Sequence, residues 1–188
     1  MSRKKYINAY ETVYEYDEKG REKRSIEYRG DYFEVSLDES GLRRYKCIAL
    51  IVFGLVFAIQ VALGFRDNPG LRILYVTIPY VIVFIPLMYW FLAALRLPVR
   101  KQLLRLDVVG LTFNRVKLMS LLATIFLGMV VVGIIVFMIL FKEIEKRDDL
   151  LFLAGEACAF GLALFAHLAS RKVCIQKIDS EQQALNKT

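Results

Sequence analysis

The sequence predicts an all-α integral membrane protein: four transmembrane helices with both chain ends in the cytoplasm, and a small N-terminal cytoplasmic arm of β-hairpin or meander form. Three observations predict it. Four apolar runs are each long enough to cross a bilayer, charge is almost absent from them, and the basic residues collect on one side of the resulting topology. The 188 residues are 56% hydrophobic and 24% charged, with a mean hydropathy of +0.42 and a net charge of +7. These averages resemble those of a soluble domain, but the distribution does not. Of the 26 basic and 19 acidic residues, 11 and 10 lie within residues 1–46. A water-soluble single domain, a disordered chain and a disulfide-built scaffold are excluded on this ground.

Residues 1–44 form the predicted β-rich arm. Tyr6, Tyr10, Tyr14 and Tyr16 share one parity, with Asn8 and Thr12 between them, which suits one pleated face. Asp17-Glu18-Lys19-Gly20 has the form of a hairpin loop. A second strand is expected over residues 21–28 and a third over Tyr32-Phe33-Glu34-Val35, after a turn at Arg29-Gly30-Asp31. That triplet also invites an adhesion reading, which its turn composition and cytoplasmic placement disfavour.

The four-helix bundle occupies residues 45–170, with spans at 47–65, 73–95, 118–141 and 150–170, or 19, 23, 24 and 21 residues. About 20 apolar residues cross the hydrocarbon core. The first run begins too far into the chain for a signal peptide, so the N-terminus is expected to be retained. An even number of spans places the arm, the 96–117 connection and the 171–188 tail on one side, with 21 of the 26 basic residues. The positive-inside rule makes that side cytoplasmic, in the cell membrane. The connection, with Pro98 at the first turn and Leu103, Leu104 and Leu106 among basic residues, reads as a short amphipathic helix. Arg96, Arg100, Lys101 and Arg105 would meet anionic lipid headgroups. The tail is expected to be a frayed helix. Nucleic acid is not an expected partner, because topology already explains the charge and no recognition motif accompanies it.

Polar residues inside the spans are the candidate functional residues. Glu156 lies about 9 Å below the external boundary at helical rise, where an ionisable side chain is costly and turns to the bundle interior or a wet cavity. Gln60, Thr77 and Tyr80 fall in the same layer and could form a polar cluster with it. The set reads either as structural hydrogen bonding or as the proton-titrating group of a small carrier. His167, the only histidine, lies about 16 Å further along the same helical face, at the depth of Ser120, Thr124, Tyr89 and Trp90. It is expected to reach headgroup water, with a proton path from Glu156 as the alternative. Trp90, Tyr89 and Tyr45 are expected in the cytoplasmic aromatic belt.

Pro79 and Pro86, seven apart in the second span, favour a kink. Small residues four apart mark packing seams at Gly54, Ala58 and Ala62, at Ser120, Thr124 and Gly128, and at Gly155, Ala159 and Ala163. Cys47, Cys158 and Cys174 make no Cys-x-x-Cys pair, and there is no phosphate-binding glycine loop. No catalytic constellation, metal site or cofactor is expected. The expectation is therefore a non-catalytic accessory or interaction subunit that docks a protein partner, or its own copy, through the arm and the basic connection. The alternative is a small secondary transporter or channel-like oligomer using Glu156.

Overall fold

The computed structural model describes residues 10–16, 22–28, 30, 32–66, 68–100, 103–140 and 146–177. It is mostly helical, and four helical stretches are long and apolar enough to cross a membrane: Glu39–Gly64, Leu74–Leu95, Leu106–Leu140 and Asp148–Arg171.

Helix α1 (Glu39–Gly64) starts eight residues before the uncharged run. Asp38 supplies the start signal. Its carboxylate accepts from Gly41 N at 2.9 Å and from the Ser40 hydroxyl at 2.8 Å, satisfying a backbone donor that the first helical turn leaves open. Leu42, 2% exposed, carries the core into this extra turn.

The second span opens with a 3-10 turn over Pro69–Arg72, where Asn68 Oδ1 accepts from Gly70 N at 2.7 Å. It then divides at Val83 into α2 (Leu74–Ile82) and α3 (Phe84–Leu95). Pro86 explains the break: its ring would collide with the carbonyl four residues back, on Ile82, the last residue of α2. In α3 the missing Pro86 N–H falls in the first turn, where it has no helical acceptor in any case.

The third span is α4 (Leu106–Leu111) followed by α5 (Phe113–Leu140), with a jog at Thr112, whose hydroxyl donates to Val108 O at 2.7 Å. Helix α6 (Lys146–Arg171) is the fourth. The spans close a ring in which α1 packs on α6, α6 on α5, α5 on α2 and α3, and α3 on α1. Apart from two polar clusters its interior is apolar, with Trp90, Leu87, Leu127, Val56 and Phe152 all below 2% exposure. Its outside is apolar too, with Ile51, Ile78, Ile85, Val132 and Phe165 each more than half exposed. Such a surface is stable against lipid rather than water.

Strands β1 (Tyr10–Tyr16) and β2 (Glu22–Tyr28) form an antiparallel pair running from Tyr10 opposite Tyr28 to Tyr16 opposite Glu22. The Asp17–Gly20 loop and residues Arg29 and Asp31 lie outside the described residues. Strand β3 (Tyr32–Val35) does not extend this hairpin into a meander. It is the centre of a separate antiparallel sheet, between β4 (Leu104–Arg105) and β5 (Ile175–Lys177). Phe33 pairs with both Leu104 and Lys177, and Val35 with Ile175. The arm, the connection and the tail are thereby joined at one end of the bundle, called here the sheet end.

Several expectations are corrected by this sheet. Among the described residues of 98–105 there is no helix: Pro98 disfavours helical backbone at Leu97, which is buried at 2% exposure, residues 99–100 form a bend, and Leu104–Arg105 is strand β4. Leu103 is exposed, Leu104 buried and Arg105 exposed, the alternation of a strand. The tail is likewise a strand over Ile175–Lys177 rather than a frayed helix, and residues 178–188 lie outside the described residues. Trp90 is not in an aromatic belt: it is fully buried, its ring edge-on to Phe53 at 6.4 Å between centroids. The small-residue rows also differ in use. Ala159 and Ala163 are buried between helices, whereas Gly54, Ala58 and Ala62 face outward.

Candidate functional site

At the end of the bundle away from the sheet, α1, α2 and α6 bring together three of the four residues expected to cluster there. Gln60 and Glu156 are both 0% exposed. Gln60 Nε2 donates to Glu156 Oε2 at 2.8 Å, tying α1 to α6. Tyr80, 6% exposed on α2, donates its hydroxyl to the backbone carbonyl of Gln60. This contact requires Gly64: a Cβ there would lie 2.8 Å from the Tyr80 oxygen. Gly155 has the same function beside Glu156, since a Cβ would meet the Leu63 side chain at 3.0 Å. The glycines set the approach of α2 and α6 to α1, and that approach sets the reach of the polar groups.

Thr77, the fourth member, does not join. Its hydroxyl donates to Leu71 O and lies 3.0 Å from Ile73 O. Ile73 O already accepts from the Val76 and Thr77 amides, so the hydroxyl is spent on backbone carbonyls at the start of its own helix, the back-bonding open to a threonine one turn in.

Glu156 Oε1 and Gln60 Oε1 have no hydrogen-bond partner among the described residues. An ionised carboxylate offers only acceptors, whereas a protonated one adds an O–H donor. The pair therefore has two usable arrangements. With Glu156 ionised the amide donates, as observed; with Glu156 protonated, the acid can donate to an amide turned about its terminal bond. The cluster can hold one proton or release it while keeping one Gln60–Glu156 hydrogen bond.

The second candidate group, His167, Ser120 and Thr124, sits near the sheet end between α5 and α6. His167 is 9% exposed, with Nδ1 3.5 Å from Ser120 Oγ and 3.3 Å from Lys117 O. Ser120 donates to Lys117 O at 3.1 Å and Thr124 to Ser120 O at 2.8 Å. Backbone carbonyls of α5 serve as acceptors throughout, so the histidine turns inward to α5 rather than out to headgroup water.

Of the expected headgroup residues, Arg96, Arg100 and Arg105 are exposed at the sheet end, and Lys101 lies outside the described residues. Lys46 is one of the basic residues that precede the first apolar run. Its ammonium donates to Leu95 O at 2.8 Å and Leu97 O at 3.0 Å, closing the C-terminus of α3 where a positive charge is favoured. Its position just before the apolar run was visible in the sequence, but not the helix end it meets. At the far end, Arg66 and Asp148 approach to 3.7 Å, both about half exposed. Among the described residues no group of three or more His, Cys, Asp or Glu side chains could hold a metal ion. The chain matches no protein-family model, no curated protein and no solved structure.

Proposed function

We propose that this chain is a non-catalytic accessory subunit of the cell membrane, with both termini cytoplasmic, that docks a protein partner through its N-terminal arm and the basic 96–117 connection. One observation carries the reading: the arm, the connection and the tail share the sheet β4-β3-β5, while the hairpin β1–β2 pairs with no other described strand. The sheet anchors the base of the arm. A two-stranded ribbon is marginal by itself, and its unpaired strand edges suit addition of a strand from a partner. The charge bias supports the orientation, and Arg96, Arg100, Lys101 and Arg105 would lie against anionic headgroups.

The test is recovery of a co-purifying partner from native membranes, with the full chain and with residues 1–30 deleted. That deletion removes the hairpin and keeps β3. Loss of the partner with the bundle intact supports the reading. A partner equally well recovered without the hairpin overturns it. A C-terminal alkaline phosphatase fusion should be inactive and a green fluorescent fusion bright.

The buried Gln60–Glu156 pair favours a second reading, a small proton-coupled transporter or channel-like oligomer. Proteoliposomes of the purified chain separate the two. Flux without a partner, abolished by Glu156→Gln, would replace the accessory reading.

A further inference from the structure

Arg115 belongs to the basic 96–117 connection, but its own contacts point to a more specific role. It lies two residues into α5 and three before the uncharged run that begins at Leu118. Its guanidinium sits over the Tyr89 ring, 5.7 Å from the centroid. Beside this pair is a depression of about 380 Å³ lined by Tyr89, Gly110, Asn114, Arg115, Leu118 and Met119. The volume falls in the range of small-ligand sites. Its charge is one-sided: Arg115 and the Asn114 amide can donate, and no carboxylate lines it. Gly110 contributes no side chain, so one wall is backbone.

Tyr89 also belongs to a second depression, about 410 Å³, which continues along α3 past Leu92, Met88, Ile85 and Phe84. That half is wholly apolar apart from the tyrosine hydroxyl. It follows the outward face of a helix that lies within a membrane span, with Met88 and Ile85 about half exposed. A cationic, hydrogen-bonding end and an apolar trough therefore meet at one residue, near the end of the hydrocarbon layer. A soluble anion would use only the first half, and a bare hydrocarbon only the second.

We propose that the Arg115 depression, between α3 and α4–α5 at the sheet end, and the α3 face that adjoins it at Tyr89 together bind one anionic phospholipid. The phosphate would rest on Arg115 and Asn114, the Tyr89 ring would sit at the level of the glycerol, and one acyl chain would run along Met88 and Ile85. Planar guanidinium donors match phosphate oxygens in pairs, and the cation–π contact with Tyr89 keeps Arg115 at the mouth of the depression before the lipid arrives. This site is distinct from the diffuse headgroup attraction of Arg96, Arg100, Lys101 and Arg105, and it stands whichever functional reading holds.

The test is native mass spectrometry of the full-length chain in detergent, titrated with phosphatidylglycerol or phosphatidylcholine of the same acyl chains. The wild type should retain one phosphatidylglycerol about tenfold more tightly than phosphatidylcholine, the effect of one charge-assisted contact. Arg115→Gln should remove that preference. Met88→Trp leaves every charge in place but fills the trough, and should weaken both lipids severalfold, so it reports on the groove even if Arg115→Gln perturbs folding. A variant with Arg96, Arg100, Lys101 and Arg105 all changed to Gln should keep the preference. Three results would overturn the proposal: a preference unchanged in Arg115→Gln, a preference lost only in the fourfold variant, or displacement of the lipid by equimolar glycerol 3-phosphate. The last would mark a soluble phosphate site.

Discussion

The two polar clusters inside the bundle both join α6 to a neighbouring helix, but they are held in opposite ways. Near the sheet end, Ser120, Thr124 and His167 have backbone carbonyls of α5 within reach. At the far end, Glu156 bonds to one side chain, Gln60, and both residues keep an oxygen without a partner among the described residues. Backbone carbonyls are present whatever the neighbouring side chains do, so the first cluster tolerates loss of a member. The second does not, because a buried polar group that loses its only partner carries its whole desolvation cost. Sensitivity to substitution should therefore be concentrated at Gln60 and Glu156.

The largest effect is expected from Gln60→Leu. It strands Glu156 at a site with no exposure and should destabilise the bundle by about 1–3 kcal/mol. Changing both residues to Leu should return most of that loss, since neither unpaired group then remains. Ser120→Ala should cost only about 0.6 kcal/mol, a typical interhelical hydrogen bond in a membrane bundle. Unfolding of the three variants in mixed detergent micelles gives the comparison directly. Equal losses for Gln60→Leu and Ser120→Ala would remove the distinction between the clusters.

An intermediate effect is expected where α2 meets α1. Tyr80→Phe removes the bond to the Gln60 carbonyl and should cost about 1 kcal/mol. Gly64→Ala places a methyl 2.8 Å from the same hydroxyl oxygen and should cost a similar amount in the wild type. In the Tyr80→Phe background the oxygen is gone, and alanine favours helix over glycine, so Gly64→Ala should cost little or nothing. A double-mutant cycle reads the coupling. Additive losses would mean that the hydroxyl does not set the α1–α2 approach.

Parts of this arrangement are legible in the sequence for a physical reason. Helical rise converts residue number into depth, so the common layer of Gln60, Tyr80 and Glu156 follows from arithmetic. Facing depends on how helices pack, and depth says nothing about a backbone carbonyl within reach, which is why Thr77 lies in the layer but bonds to Leu71 and Ile73. The span positions follow from composition alone. Their ends do not, because α1 begins eight residues before its apolar run on the strength of Asp38 and Leu42. The connection was misread because leucines alternating with basic residues fit a short helix or a strand equally. Its state is decided by β3, some 70 residues earlier in the chain. Lys46 and Arg115 were visible only as charge, since their partners are a helix end and a ring face from other parts of the chain.

The smallest effect concerns the other kind of carboxylate, one in water. Asp38 is exposed at the start of α1. The Ser40 hydroxyl, followed by Gly41 N–H, holds its pKa below the ordinary value of 3.8. Because the folded value is depressed, the cap contributes fully above the unfolded pKa and is lost as pH falls through the folded one. Amide exchange at Gly41 should therefore lose protection only below about pH 4. Asp38→Asn keeps an acceptor and should make that protection independent of pH, while Asp38→Ala should lower it at every pH. Glu156 makes the informative contrast, since its carboxyl has no solvent contact and its bond to Gln60 is kept in either protonation state. Exchange in the middle of α6 should stay unchanged over the same pH range. A parallel loss at both positions would mean that water reaches Glu156, which moves the balance from the accessory reading toward the transporter.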